Sequence, residues 1–109
     1  MDFPQLKIGD LVAKIPVIQG GMGVGISLSG LASAVAKEGG IGVIAAAMIG
    51  MGEPDIGSNY REANVRALQR ELRAAREKTD GMTGVTSHSS NRSAPAPVIE
   101  YTFRAGNVR

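Results

Sequence analysis

The residues that most clearly suggest a chemical task are the glycines of the segment IPVIQGGMGVGISLSG, residues 15–30. A short apolar stretch at 17–19 runs into this glycine cluster, and the segment contains no aspartate, lysine or arginine. Because glycine has no Cβ, its backbone can lie close to a flat or charged ligand. In α/β proteins, ligands bind at the carboxyl end of strands that such loops follow. The segment therefore predicts a ligand-binding loop, with glycines that serve only tight turns and close packing as the alternative.

Two phosphate-binding motifs can be tested on this loop, and neither is present. The dinucleotide pattern G-x-G-x-x-G fails because Leu28 stands three positions after Gly25. The P-loop pattern nearly occurs in GISLSGLA, but Leu31 occupies the position of the phosphate-binding lysine. The loop is therefore not predicted to bind a nucleoside triphosphate.

Other catalytic side chains are sparse. The chain of 109 residues has no cysteine, which excludes disulfides and thiolate metal sites and favours a cytoplasmic location. Its one histidine, His88, lies among serines and is expected to be solvated rather than catalytic. The sequence shows no catalytic triad, carboxylate pair or metal-ligand cluster, so neither a catalytic residue nor a metal site is predicted.

The elements alternate in the manner of a parallel α/β sheet. Gly9-Asp10 suits a turn within an extended segment at 6–14, and a strand is predicted at Val17–Gln19. A helix begins at Ser27 or Ser29, either of which can act as N-cap, and Gly39 is placed just after its end. The run GIGVIAAAMIG then has the length and composition of a strand covered on both faces.

A second, longer helix and a third strand follow. Asn59 and Glu62 have the spacing of a capping box, and an apolar stripe continues through a helix that ends near Gly81. The stripe consists of Val65, Leu68, Leu72 and Ala75. The segment MTGV begins the third strand. Alternation of this kind implies right-handed crossovers between parallel strands.

Charge and hydropathy give no reason to predict a nucleic-acid or membrane partner. The net charge is only +2, and the basic helix at 60–78 has acids four residues from its arginines, as in Glu62 with Arg66 and Arg73 with Glu77. The uncharged run 15–36 is long enough to span a bilayer, but it contains a glutamine, a proline, three serines and five glycines. A solvated helix and a glycine-rich loop are the favoured interpretations.

The segment PVIQGGMGVGISLSGLASAVAKEGGIGVIAAAMIG, followed by EPD, EANVRAL and GMTGV, resembles the N-terminal part of the bacterial nitronate monooxygenase family. These enzymes are FMN-dependent (β/α)8 TIM barrels, and the resemblance covers about residues 5–85. It implies an α/β fold that contains the first two βα units of the barrel plus a third strand. Related FMN-dependent enoyl-acyl-carrier-protein reductases share the same opening.

The resemblance also implies a role for the glycine loop. In the family, the first strand-to-helix loop, here Gly20, Gly21 and Met22, lies against the isoalloxazine ring of FMN. Glycine is needed there because a Cβ would collide with the ring, and Met22 would add a polarisable side chain and a backbone amide.

After Val85 the sequence departs from the family pattern. The family continues its third strand as Gly-Val-Asn-Ile-Met, with the asparagine near the cofactor, whereas this chain reads GVTSHSSNRSAPAPVIEYTFRAGNVR. Loss of one nucleotide from codons for Asn-Ile would give Thr-Ser, which matches Thr86 and Ser87. We therefore predict two regions: residues 1–85 as part of an FMN-binding barrel, and residues 86–109 as an irregular or frameshifted tail outside the family.

The expected function follows from the resemblance. The family oxidises alkyl nitronates with molecular oxygen. Its loops that bind the flavin phosphate and its catalytic histidine lie far beyond the part of the barrel that corresponds to residues 5–85. The chain is accordingly expected to be a truncated, inactive piece that self-associates through open sheet edges. The alternatives are a piece of an enoyl-acyl-carrier-protein reductase and a non-catalytic binding or membrane-associated segment.

Overall fold

The chain forms a mixed α/β structure of five strands and two helices within residues 2–89 and 98–104, which are the residues that this computed structural model describes. Side chains are described as far as residue 86. The elements in chain order are β1 (Leu6–Ile8), β2 (Leu11–Ala13), α1 (Ser29–Lys37), β3 (Gly42–Ala45), α2 (Tyr60–Lys78), β4 (Thr83–Ser89) and β5 (Val98–Arg104).

The N-terminal extension is an antiparallel hairpin. Strands β1 and β2 pair from Leu6 with Ala13 to Ile8 with Leu11. The turn falls at Gly9-Asp10, where Gly9 has a φ of +57°, in the left-handed region that glycine adopts at little cost. The turn that the sequence predicts is confirmed.

Three parallel segments lie side by side in the order of the chain. Strands β3 and β4 pair in parallel from Gly42 with Thr83 to Ala45 with Thr86. The segment predicted as a strand at Val17–Gln19 is shorter than expected: it joins β3 through one parallel bridge, Ile18 with Ile41. The strand is short for two reasons. Before the bridge, Pro16 has no N–H to donate, and after it, the Gln19 side chain takes the hydrogen bonds of Val43 that a strand backbone would make.

The core has two parts, one on each face of β3, whose four residues are all buried. On one face, Ile41 and Val43 pack with Ala13 and Met82 under the hairpin of β1 and β2. On the other face, Ile44 packs against the two helices, with Ala32 and Ala75 as its buried neighbours. The continuous apolar run predicts a strand that is covered on both faces. Alternate side chains of β3 point to opposite faces, and each face packs against one of the two clusters.

Gly42 allows α1 to lie directly on β3. A Cβ at this position would overlap the carbonyl oxygen and carbon of Ala32, which belong to the helix backbone. The helix backbone at Ala32 is therefore closer to the strand than a side chain at position 42 would permit.

The helix bounds agree with the sequence prediction, but the caps do not. Helix α1 is followed by Gly39 with a φ of +96°, as expected for a residue after a helix end. Its N-cap position is Leu28, whose side chain has no acceptor, and the Glu71 carboxylate of α2 accepts the Ser29 N–H at 3.0 Å in place of a local cap. Asn59 likewise makes no capping bond to α2; its side-chain amide donates to the Asp55 carboxylate.

The buried face of α2 is narrower than the predicted stripe. The fully buried positions are Ala63, Ala67 and Ala75, whereas Val65 is 47% exposed. Leu68 and Leu72 are half-buried and pack on the cluster around Ile44. The small residues let α2 lie close to α1 and, at Ala63, to Gly50 in the loop after β3, and the larger ones lie at the margin.

The C-terminal part differs from the expected irregular tail. Residues Val98–Arg104 form β5, which pairs antiparallel with all of β4, from Thr83 with Arg104 to Ser89 with Val98. The run VIEYTF is rich in β-branched and aromatic residues, and the edge of β4 gives it a partner. In a (β/α)8 barrel a parallel strand fills this edge, so the complete barrel stays a prediction. Residues 90–97 and 105–109 of the tail lie outside the described residues.

Candidate flavin site

The candidate site lies at the carboxyl ends of the segment at 17–19 and of β3, beside β4. The loop at 20–28 follows Gln19, and the loop at 46–59 follows β3. The Ala45 N–H donates to the Ser27 carbonyl at 3.0 Å, and the Ala46 N–H donates to the Thr86 carbonyl at 2.9 Å. These bonds bring the first loop, the end of β3 and β4 to one edge, as expected for parallel strands.

Gly20 and Gly21, the two glycines that the resemblance places against the flavin ring, have different surroundings. A Cβ on Gly20 would have no atom within 4 Å, so the space beside its α-carbon is open. A Cβ on Gly21 would collide with the hydroxyl oxygen of Thr86 and lie 3.0 Å from its methyl carbon. Gly20 thus offers room for a planar group, whereas Gly21 is required by packing against β4.

Ser27 fixes the backbone of the loop through hydrogen bonds of its hydroxyl, and its side chain is fully buried. Its hydroxyl accepts the Met22 N–H at 2.9 Å and the Gln19 amide N–H at 3.1 Å, and it donates to the Gly20 carbonyl at 3.4 Å. A hydroxyl has one donor and two acceptor positions, so all of its capacity is used. The sequence analysis considered Ser27 only as a helix cap.

Met22 keeps its side chain available but not its amide. The side chain is 47% exposed. The N–H donates to the Ser27 hydroxyl, and the Met22 carbonyl accepts the Ser27 N–H at 2.9 Å. The backbone amide expected to face the flavin is therefore committed within the loop, and the thioether is the group of Met22 that a ligand can meet.

The surface around this edge is apolar and cannot transfer protons. Residues 20–27 and 46–52 include no acidic, basic or histidine side chain. Large apolar side chains are nevertheless exposed there, namely Met22, Val24, Ile26, Met48 and Met51. Such a surface can hold a flat aromatic group and exclude water from it, but it supplies no acid or base.

The two acidic residues of the second loop, Glu53 and Asp55, form ion pairs with arginines of α2. Arg66 pairs with Asp55 and with Glu53, at 3.4 Å for the latter, and Arg70 pairs with Glu53 at 2.8 Å. Hydrogen bonding by Arg70 holds the pKa of Glu53 below its ordinary value, and Arg66 does the same for the pKa of Asp55. Arg66 thus uses acids of the preceding loop rather than Glu62, which corrects the expected pairing along the helix.

Thr86 is a site residue that the sequence analysis missed. It is buried in the middle of β4, beside Ala45 at the end of β3, and lies against Gly21. It occupies the position at which the family pattern has asparagine, which was the available signal, but the sequence prediction assigned it to a foreign tail. His88 is part of β4, and its side chain lies outside the described part of the chain. Within that part, no group of three or more potential metal ligands occurs.

A glycine loop at the carboxyl edge of parallel strands, with helices on one face, defines a partial α/β domain built of strand-loop-helix units. The chain belongs to the nitronate monooxygenase family, since the family model described as "Nitronate monooxygenase" matches residues 5–101. This family consists of flavin-dependent oxidoreductases. The match continues past Val85, the expected limit of the resemblance; the frameshift hypothesis stays a prediction.

Comparisons with individual proteins add nothing to the family assignment. No curated protein sequence and no solved structure matches the chain. Neither described helix is long and apolar enough to cross a bilayer.

Proposed function

We propose that the chain contributes the first flavin-contacting loop of an FMN-dependent nitronate monooxygenase. The observation that carries the proposal is the open space beside Gly20, in a loop whose backbone is held by a saturated buried hydroxyl at Ser27. Membership of a flavin-dependent family supports the choice of ligand. The family supplies the substrates of the proposal, an alkyl nitronate and molecular oxygen.

The residues fit one face of a flavin ring. When bound, FMN supplies the redox chemistry of such enzymes. Gly20 would let the backbone lie against the ring, and Gly21 would hold the loop at a fixed distance from β4. Met22 would cover the ring with a polarisable thioether. The neighbouring apolar side chains would keep water away from it.

We propose further that this chain alone binds flavin without turnover. Residues 20–27 and 46–52, which form the apolar surface of the site, carry no side chain that can accept or donate a proton near neutral pH. The chain has no cysteine, in keeping with the reducing cytoplasm as its proposed location. Its proposed protein partner is a second copy of the chain, joined through an open sheet edge.

The experiment is a titration of the purified 109-residue chain with FMN and, in parallel, with riboflavin. Because the contacts of Gly20 and Met22 would be to the ring, we expect both flavins to lose fluorescence on binding with similar dissociation constants. No nitronate-dependent oxygen consumption should accompany binding. A flavin spectrum and fluorescence that do not change at saturating protein would refute the proposal.

A matched pair of variants locates the binding. Gly20→Val fills the open space and should weaken flavin binding at least tenfold. Gly57→Val makes the same change at another glycine whose Cβ would meet nothing within 4 Å, and should leave binding unchanged. Equal affinities of the two variants would place the flavin elsewhere on the chain.

A further inference from the structure

The side chain of Gln19 takes over the hydrogen bonds of a strand pair. Its carbonyl oxygen accepts the Val43 N–H at 3.1 Å, and its amide nitrogen donates to the Val43 carbonyl at 3.0 Å. The backbone of Gln19 still pairs with the neighbouring strand, because the Gln19 N–H donates to the Ile41 carbonyl at 3.0 Å. The strand therefore ends at Gln19, and the chain is free to leave the sheet at Gly20.

The same amide group reaches the loop. Its nitrogen also donates to the Ser27 hydroxyl at 3.1 Å, so both of its N–H positions are used. The hydroxyl in turn binds the Met22 N–H and the Gly20 carbonyl. A single network thus links the backbone of β3 to both ends of the proposed flavin-contacting segment.

We infer that Gln19 and Ser27 are positioning residues that set the shape of the loop at 20–26 for a flavin ring. The inference rests on the proposed function for its ligand, but the loop geometry that it requires can be measured without any ligand. Neither side chain needs to touch flavin. Their effect is to end the strand one residue before Gly20 and to hold Met22 and Gly20 at the distance that one hydroxyl spans.

The network requires a donor and an acceptor on the same side chain. A glutamate at position 19 has nearly the shape of glutamine and can accept the Val43 N–H. As a carboxylate, however, it can donate to neither the Val43 carbonyl nor the Ser27 hydroxyl, and it faces the carbonyl as one acceptor against another. Protonation restores one donor. The side chain at position 19 contacts the Ser27 hydroxyl of the loop and the Val43 backbone of β3, and neither group titrates near neutral pH.

The test is Gln19→Glu in the full chain, with Gln69→Glu on the exposed face of α2 as the matched control. Amide hydrogen exchange of Met22 and Val43, followed by NMR without flavin, reports the network directly. At pH 7 we expect exchange at Met22 to be at least tenfold faster in Gln19→Glu than in wild type, after correction for intrinsic rates. On acidification toward pH 5 the difference should shrink, because the new carboxyl group, partly buried and facing a carbonyl oxygen, has a raised pKa.

Flavin affinity is the second measurement. The dissociation constant of FMN should rise about tenfold at pH 7 for Gln19→Glu, since a lost hydrogen bond commonly costs that factor. It should fall again toward pH 5. The control should follow wild type at both pH values. A merely structural role would weaken folding without this recovery on acidification.

The outcomes separate the two proposals. If wild type fails to bind FMN but the exchange results hold, the positioning role stands for the loop and the proposed function fails. If exchange at Met22 and Val43 matches wild type at pH 7, the positioning role is refuted whatever the affinity for flavin.

A second pair covers the case in which Gln19→Glu does not fold. Ser27→Ala removes the shared hydroxyl, and Ser33→Ala removes another buried hydroxyl, which donates to the Gly30 carbonyl in its own helix. Met22 exchange should accelerate in Ser27→Ala alone. Equal exchange in both serine variants would overturn the inference.

Discussion

Neighbouring glycines at the candidate site have separate physical reasons to be glycine. The α-carbon of Gly20 faces open space, whereas that of Gly21 faces the Thr86 side chain. Composition alone could not separate these cases, because both residues belong to the same dipeptide. The sequence predicted the place of the loop correctly, but only the fold shows that Thr86 comes to lie beside it.

The packing role of Gly21 predicts a stability defect that does not involve flavin. Gly21→Ala should lower the free energy of unfolding by about 1–3 kcal/mol, the usual cost of inserting a carbon atom into a packed site. Gly20→Ala meets no such contact and should leave it unchanged or raise it by up to about 1 kcal/mol, because alanine has less backbone freedom to lose on folding. Urea unfolding followed by circular dichroism measures both.

Thr86→Ala provides the control for this explanation. It removes the hydroxyl and methyl groups that the new Cβ would meet, so Gly21→Ala should cost less in the Thr86→Ala background than in wild type. Additive costs in the double variant would mean that Thr86 is not the obstacle.

Gln19 and Ser27 show why the rest of the site was not predictable. A glutamine after two apolar residues is usual for a strand, and a serine before a helix is usual for a cap. Their bonds instead join residues 24 positions apart, from Gln19 to Val43, and eight apart, from Gln19 to Ser27. Such contacts depend on the sheet being assembled, and no local pattern encodes them.

At the scale of the elements, the closest contact is between α1 and β3. Gly42→Ala should destabilise the chain by more than about 3 kcal/mol, beyond the usual cost of overpacking, because the new Cβ meets the Ala32 backbone rather than a side chain that can rotate. The measurement is again the free energy of unfolding in urea. The variant would contradict this account if its stability equalled that of wild type.

A glycine on the helix itself supplies the control for this substitution. The Cβ of Gly30→Ala would meet nothing within 4 Å, and Gly30 lies inside α1. Alanine is the better helix former by about 0.8–1.0 kcal/mol, so Gly30→Ala should stabilise the chain by up to that amount. Opposite signs for the two glycine substitutions distinguish backbone contact from a general intolerance of change.

The N-terminus of α1 gives a pH-dependent prediction. Glu71 accepts the Ser29 N–H, and Lys78 donates to the Ser29 hydroxyl at 3.5 Å. Partial burial acts to raise the pKa of Glu71, but the hydrogen bonds from Ser29 and the attraction of Arg70 and Lys78 outweigh it, so this pKa is lowered from its ordinary value of 4.5. A carboxyl group with a lowered pKa stabilises the folded state above its unfolded value and ceases to do so as the pH falls through its folded value.

Glu71→Gln should therefore be less stable than wild type at pH 7, by about 0.3–1 kcal/mol, the usual contribution of a carboxylate at a helix N-terminus. The difference should shrink as the pH falls below about 4.5. Urea unfolding at a series of pH values tests this, with Glu77→Gln at an exposed position in the last turn of α2 as the control. A difference between wild type and Glu71→Gln that does not vary with pH would exclude the charge as its origin.

The same contact marks the limit of sequence prediction for the elements. The bounds of α2 at Tyr60–Lys78 and the end of α1 before Gly39 follow from periodicity and a glycine stop, which are local signals. The cap of α1 comes from Glu71, which is 42 residues away from Ser29, and was therefore missed. Strand β5 was missed because its pairing with β4 depends on an edge that exists only after folding.

For the whole molecule, the decisive feature is the edge of the sheet next to β3. Within residues 2–89 and 98–104, the segment at 17–19 has one strand neighbour, through Ile18 and Ile41. Val17 and Ile18 are 54% and 46% exposed there. An apolar edge of this kind is a template for pairing with another chain, and it is the reason to propose a second copy as the partner.

Self-association through this edge should be sensitive to a charge placed on it. Sedimentation velocity of wild type is expected to show association that increases with concentration, and Val17→Lys should weaken it about tenfold, equivalent to about 1.4 kcal/mol. Val65→Lys is the matched control, since Val65 is 47% exposed but lies on α2. If both lysine variants weaken association equally, general charge repulsion and not the edge is responsible. If wild type stays monomeric at all concentrations, the edge is protected and the proposed partner is wrong.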